Sequence, residues 1–173
     1  CLLVADVIPK QEAENLAALK PAEMPEFLQK VQHCQVSDDL MIAIKLACYT
    51  AVRISELLFA RWDTKEINFE KREWVIPASR MKMRRDHVVP LTEQTIQLFK
   101  SMHDRRINDG YIFKHARKPN FPARSESILA IIKRNGYAGQ MTTHGFRSVF
   151  STHANNSGNF RYDVIEYQIA HVP

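Results

Sequence analysis

Cysteine is scarce and unpatterned in this 173-residue chain. Cys1, Cys34 and Cys48 form no CxxC pair, and an odd count argues against a disulfide framework or a structural zinc site. That usage suits a reducing cytoplasm. No apolar run approaches the roughly 20 residues a membrane span needs, and the start lacks the basic-then-apolar order of a signal peptide. Internal repeats and low-complexity tracts are missing too, which leaves an ordinary globular domain. Length fits one domain, or one domain plus a linker, and 45% hydrophobic composition supplies a core.

What is present is basic charge, a formal net +5 with a pI near 9.2. Such a balance favours a polyanionic partner, although many small basic proteins have none. Distribution says more: basic residues bunch in Arg80-Met81-Lys82-Met83-Arg84-Arg85, in His103-Asp104-Arg105-Arg106 and in Lys114-His115-Ala116-Arg117-Lys118. Those runs make either a binding stripe or a solvated face.

Residues 1–20 carry Pro9 and an acidic, alanine-rich stretch without strong amphipathic pattern, and read as a linker into a domain over 21–173. Pro21 at a first helical turn, with Met24, Phe27, Leu28 and Val31 at helical spacing, predicts a helix ending near His33. Ser37 followed by Asp38 and Asp39 predicts a capped helix from Leu40 to Tyr49. A short helix follows over Ile54 to Ala60. Three segments of strand composition, Ile67 to Phe69, Trp74 to Ile76 and Val88 to Pro90, then predict a small antiparallel sheet. Thr92 caps a helix to His103, Ser125 one that Gly136 ends, Thr143 one that Gly158 ends, and Asp163 to Ile169 is the last. The fold class is mainly α with a three-stranded antiparallel sheet inserted after the second or third helix.

Arg53 follows a strongly apolar helix and needs an acceptor close to the core, which Glu56 can supply. That pair either holds two helices together or orients Arg53 or His144 toward a ligand phosphate. His144 opens the helix that begins near Thr143, where free amides and dipole favour an anion. Arg147 follows about 60° further round a helix of roughly 3.6 residues per turn, so the two share a face. His153 faces elsewhere. Taken alone, an arginine in a salt bridge and a capping histidine satisfy the same pattern. Strand alternation through Arg80 to Arg85 would put Arg80, Lys82 and Arg84 on one face and Met81 and Met83 on the other. A lysine there can enter a DNA groove and protonate a leaving alkoxide where neighbouring cations lower its pKa; a solvated hairpin reads equally well. His171, at the end of an amphipathic helix, suits a C-terminal cap.

The order and spacing of these segments resemble the catalytic domain of the tyrosine recombinases, the phage integrase family, from about residue 20 to the end. Arg53-Ile54-Ser55-Glu56-Leu57 with Ala60-Arg61-Trp62 is similar to the first arginine motif, and Arg80-Met81-Lys82-Met83 through His87-Val88-Val89-Pro90-Leu91 to the hairpin lysine segment. His144-Gly145-Phe146-Arg147 resembles the histidine and second arginine motif, and Ala170-His171 stands where Gly-His is common. The wording is most similar to integrases of satellite phages and genomic islands.

The resemblance implies the DNA breaking-rejoining fold and cleavage through a 3′-phosphotyrosyl intermediate, for integration or excision of a phage or genomic island. It implies that Arg53 and Arg147 bind the scissile phosphate, Lys82 acts as general acid, His144 assists proton transfer, and His171 donates a hydrogen bond to the phosphate. Glu56 supports them, Arg80, Arg84 and Arg85 contact DNA, and neither metal nor cofactor is needed. The implied partner is double-stranded DNA at attachment sites, engaged by a homo-tetramer of the full-length protein in the bacterial cytoplasm and nucleoid, with no membrane involved. The family's tyrosine lies beyond the position matched by His171, so Tyr162 and Tyr167 are not expected to be nucleophiles. The chain is expected to be a truncated piece that lacks the nucleophile and an N-terminal DNA-binding region, inactive by itself.

Two other readings remain open: a non-catalytic DNA-binding prophage remnant and a type IB topoisomerase. A third, a metal-dependent hydrolase using His144, His153 and His171, fails on helix geometry and on the shortage of carboxylates near those histidines.

Overall fold

The computed structural model describes residues 17–103 and 110–171. Cys1, most of the expected linker and the Asp104-Arg105-Arg106 run lie outside the described residues. Of residues 17–20, expected at the end of a linker, Ala18 and Lys20 are exposed while Leu19 and Ala17 are tied to the domain. Leu19 is buried in the core, and the Ala17 carbonyl accepts the Thr142 amide at 3.1 Å.

Helix α1 is Met24–Gln32, entered through a 3-10 turn over Pro21–Glu23. Its buried pair Phe27 and Val31 lies four apart, which is one helical face. Phe27 meets Tyr137 and Phe146 at ring-centroid distances of 5.1 and 6.0 Å. Helix α2, Asp38–Thr50, is capped by Ser37 as the sequence predicts, with the Leu40 amide 3.4 Å from the Ser37 hydroxyl. Apolar residues surround most of α2, so it is buried rather than one-sided. Ala43 and Ala47 let neighbouring elements approach it. Helices α3 (Ile54–Leu58), α4 (Glu93–His103), α5 (Ser125–Ile132) and α6 (Gly145–Ser157) all pack on α2, and α7 (Tyr162–Gln168) packs on α6.

The sheet follows α3. Strands β1 (Ile67–Asn68), β2 (Glu73–Ile76) and β3 (His87–Pro90) are antiparallel in the order β1-β2-β3, with Trp74 opposite Val89 and Ile76 opposite His87. Opposed residues share a sheet face, so Trp74, Ile76, Val89 and His87 all point into the core. A second hairpin, β4 (Lys114–His115) and β5 (Lys118–Pro122), was not anticipated. Its charged residues hide any apolar alternation.

Two expected caps are corrected. Arg124 rather than Ser125 precedes α5, and α6 is capped by the Thr142 hydroxyl, 3.1 Å from the Gly145 amide, instead of by Thr143. Gly145 has its own reason: a β-carbon there would stand 3.0 Å from the Ala17 carbonyl and 2.7 Å from the Met141 sulfur.

Candidate active site

The site is assembled where two helices end and two others begin. Helix α2 stops because Ala51 turns left-handed, with φ +54°, and the chain reverses through Val52 into Arg53, the residue that precedes α3. Glu56 reaches back from the first turn of α3. Its carboxylate accepts the Arg53 backbone amide at 2.9 Å and the Arg53 guanidinium at 2.7 Å. The pair therefore belongs to one helix start and does not bridge two helices. Glu56 is nearly sealed while Arg53 remains partly open, so the carboxylate lies behind the cation and the guanidinium faces out.

Arg147, in the first turn of α6, is buried. Its Nη1 donates to the Ala51 carbonyl at 2.9 Å and its Nη2 to the Ile169 carbonyl at 2.5 Å. Ala51 and Ile169 follow the last residues of α2 and α7, so Arg147 satisfies two carbonyls that helix ends leave without partners. Three of its five N–H groups remain for a ligand. Burial and the nearby Arg53 charge pull Arg147 down to about 10, against the opposing pull of Glu56 and Glu166. It stays protonated at neutral pH but is short of negative charge.

His144 immediately precedes α6 and is exposed. Desolvation, then the charges of Arg147, Arg53 and His171, lower its pKa, which favours a neutral ring at pH 7. His171 follows α7 after Ala170, whose φ of +47° is a left-handed conformation that glycine adopts more readily. Its Nδ1–H donates to Glu166 at 2.9 Å, leaving Nε2 to face outward. Arg53, Arg147, His144 and His171 are thus brought together, and His153 lies exposed further along α6. Among the described residues, no group of three His, Cys, Asp or Glu side chains is arranged to hold a metal.

The expected basic ribbon is corrected. Ala78–Arg80 is a 3-10 turn, Arg84 is left-handed at φ +51°, and the loop is closed by Asp86 accepting the Ala78 amide at 2.7 Å. Alternation therefore fails, and Met81 is buried while Met83 is exposed. Arg80 does not share a face with Lys82. It turns inward, pairs with buried Glu66 and donates to the Glu56 carbonyl at 3.1 Å. Glu66 also accepts from Thr64 and from the Trp74 indole. Lys82, Arg84 and Arg85 are exposed. Arg80 thereby anchors the root of the loop that carries them against α3.

Three residues of the site escaped the sequence reading: His87, Glu166 and Gln168. His87 is buried on β3, and its Nε2 lies 3.2 Å from the Gln168 carbonyl, while the Gln168 side chain donates to the Thr50 carbonyl at 2.9 Å. Its strand position, two before buried Val89, was the available signal. Nothing local marks Glu166 or Gln168, because their partners are His171, five residues on, and Thr50, 118 residues away.

The result is a face where partly open Arg53 and exposed His144 and His171 surround buried Arg147, with carboxylates behind, suited to the oxygens of a phosphodiester. The chain matches the family described as the phage integrase family over residues 17–172. It is 35% identical over 169 residues to prophage integrase IntA of Escherichia coli (strain K12), covering 98% of this chain and 40% of that protein. With prophage integrase IntZ of the same strain it is 38% identical over 152 residues, covering 88% and 37%. The chain thus spans less than half the length of these relatives. In fold it is similar to the Tn1549 transposon integrase (residues 82–397) solved in complex with circular intermediate DNA, with a TM-score of 0.74 and 20% identity over 99% of this chain and 62% of that one.

Proposed function

Because the chain belongs to the phage integrase family, we propose that it is the catalytic part of a site-specific recombinase that cuts and rejoins double-stranded attachment-site DNA. The convergence of partly open Arg53 and buried Arg147 at one site, each fixed by bonds of its own, carries this reading. The two guanidiniums hold the non-bridging oxygens of the scissile phosphate and stabilise the charge of the pentavalent transition state. His171 donates its Nε2–H to the phosphate as an imidazolium, its Nδ1–H staying on Glu166. A tyrosine C-terminal to His171 in the complete protein attacks phosphorus, and neutral His144 takes its proton. The bond to the 5′-oxygen breaks, Lys82 gives that oxygen a proton, and a 3′-phosphotyrosyl link remains. Rejoining is the reverse.

In this reading Arg84 and Arg85 contact neighbouring phosphates, and Arg80 acts by anchoring their loop instead of touching DNA. Tyr162 and Tyr167 are not nucleophiles. These 173 residues alone bind DNA weakly, with strong dependence on salt, and form no covalent complex. The complete protein works in the bacterial cytoplasm, on the nucleoid, as four protomers on two duplexes, and moves a phage or genomic island into or out of a chromosome.

The test uses the complete protein and a nicked attachment-site duplex that traps the covalent intermediate. Wild type and Tyr167→Phe accumulate adduct, whereas Arg53→Lys and Arg147→Lys lose about 100-fold or more in rate, because lysine keeps the charge but not the two-pronged geometry. Undiminished adduct in either lysine variant, or none in wild type, sinks the assignment.

A further inference from the structure

His87 is the one buried histidine among the described residues. It opens β3 at the end of the loop that carries Lys82, opposite Ile76. Space-filling alone would be served by leucine or phenylalanine at such a position, and a buried imidazole needs a partner. The partner is the Gln168 carbonyl, 3.2 Å from Nε2. A carbonyl only accepts, so Nε2 carries the proton. The ring packs edge-on against Tyr167, with centroids 5.8 Å apart.

Three ties converge on two consecutive residues. The Gln168 carbonyl is held by His87, the Gln168 side chain by the Thr50 carbonyl, and the Ile169 carbonyl by Arg147. Ala170 and His171 come next. Of the three ties, that of His87 comes from the sheet and from the loop bearing Lys82. We propose that His87 is a positioning residue, whose Nε2–H fixes the Gln168 carbonyl and so sets His171 relative to Arg147 and to the Lys82 loop.

The surroundings keep this donor neutral. Arg147 and Arg53 on α6 and before α3, with desolvation as the larger cause, oppose a third cation; Glu56 and the bond to Gln168 act the other way. The catalytic consequence rests on the function proposed above, but the placement of His171 does not.

Two substitutions separate positioning from packing. His87→Leu fills the space without a donor, and His87→Gln restores an amide N–H at about the reach of Nε2. In this chain, the imidazole resonances of His171 should move in His87→Leu and return in His87→Gln. In the complete protein, His87→Leu should slow covalent adduct formation by about 10- to 100-fold, with His87→Gln rescuing most of the loss. On a His171→Ala background, the further loss from His87→Leu should shrink to about twofold, because the two act through one contact. If leucine prevents folding, His87→Asn, whose amide reaches only as far as Nδ1, replaces it with the same expectations.

Unmoved His171 resonances in a folded leucine or asparagine variant overturn the proposal. So does failure of glutamine to rescue, or a loss that multiplies fully with His171→Ala. Absence of adduct in wild type would count against the recombinase reading, and the resonances would still decide the role of His87.

Discussion

Glu56→Gln is the most revealing single change, because Glu56 is the carboxylate bonded directly to Arg53 and also acts on Arg80, His87 and Arg147. In the native site its two oxygens accept the Arg53 guanidinium at 2.7 Å and the Arg53 amide at 2.9 Å. A glutamine can accept from one of these donors, and its own NH2 then faces the other. A hydrogen bond to a charged group contributes about 1.5–3 kcal/mol and one between neutral groups about 0.5–1.5 kcal/mol. The substitution should therefore cost about 2 kcal/mol. For a chain of this size that lowers the melting midpoint by about 4–8 °C.

The loss should also be conditional. Removing one negative charge leaves Arg53 and Arg147 less well compensated, and a bound phosphate-like anion makes up the difference by linkage. Melting curves in sulfate and in chloride at matched ionic strength test this, since sulfate stabilises most proteins by exclusion and only the gap between wild type and variant matters. The gap should narrow as sulfate rises. A variant within about 0.5 kcal/mol of wild type, or a gap that sulfate leaves unchanged, would refute the picture of a carboxylate balancing an anion site.

Two other outcomes follow from the same geometry. Arg80→Ala strands the Glu66 carboxylate, which is 4% exposed, and breaking such a buried pair should cost about 3 kcal/mol, read as a lower urea midpoint. Exposed Lys82→Ala should leave that midpoint unchanged, and the reverse order would return Arg80 to the DNA-facing surface. Stability should also fall on acidification. Burial lowers His87, and local desolvation with the charges of Arg147, Arg53 and His171 lowers exposed His144, below their ordinary 6.5, so between 6.5 and the folded values the unfolded chain binds more protons. The stability these rings contribute is complete above about pH 6.5 and lost as pH drops through the folded values; urea titrations at pH 7.5, 6 and 5 read it, and a flat profile would contradict the burial of His87.

The elements most legible in sequence were those whose signals are local. Ser37 with Asp38 and Asp39 marked the start of α2, Gly158 the end of α6, and the strand composition of Trp74 to Ile76 and Val88 to Pro90 the sheet. Arg53, Glu56, His144, Arg147 and His171 were singled out by order, chemistry and resemblance, and the structure places them near one another. The segment from Arg80 to Arg85 failed because alternation assumes an extended chain. Burial of Glu66 competes for Arg80 and pulls it into a turn. That competition spans 14 residues, and no window of the sequence displays it. His87 and Gln168 were missed for the same reason, since what makes them part of the site is a contact across 81 residues.

The bonding of Arg147 also explains why positive charge alone would be a poor substitute there. The carbonyls it holds belong to Ala51 and Ile169, which close α2 and α7, and helix C-termini carry partial negative charge. Two helix ends thus partly offset the cost of burying a cation while fixing the plane of the guanidinium. The N–H groups not used by the protein are then held in a fixed orientation, and in the function proposed above little reorganisation is needed when charge builds on phosphorus. A lysine ammonium could satisfy one carbonyl or face the phosphate, but a single nitrogen on a flexible stem cannot span both carbonyls and still present a fixed fork. In the proposed function, stability and phosphate binding are therefore coupled through one side chain: loosening either helix end should redirect Arg147 even when its charge is intact.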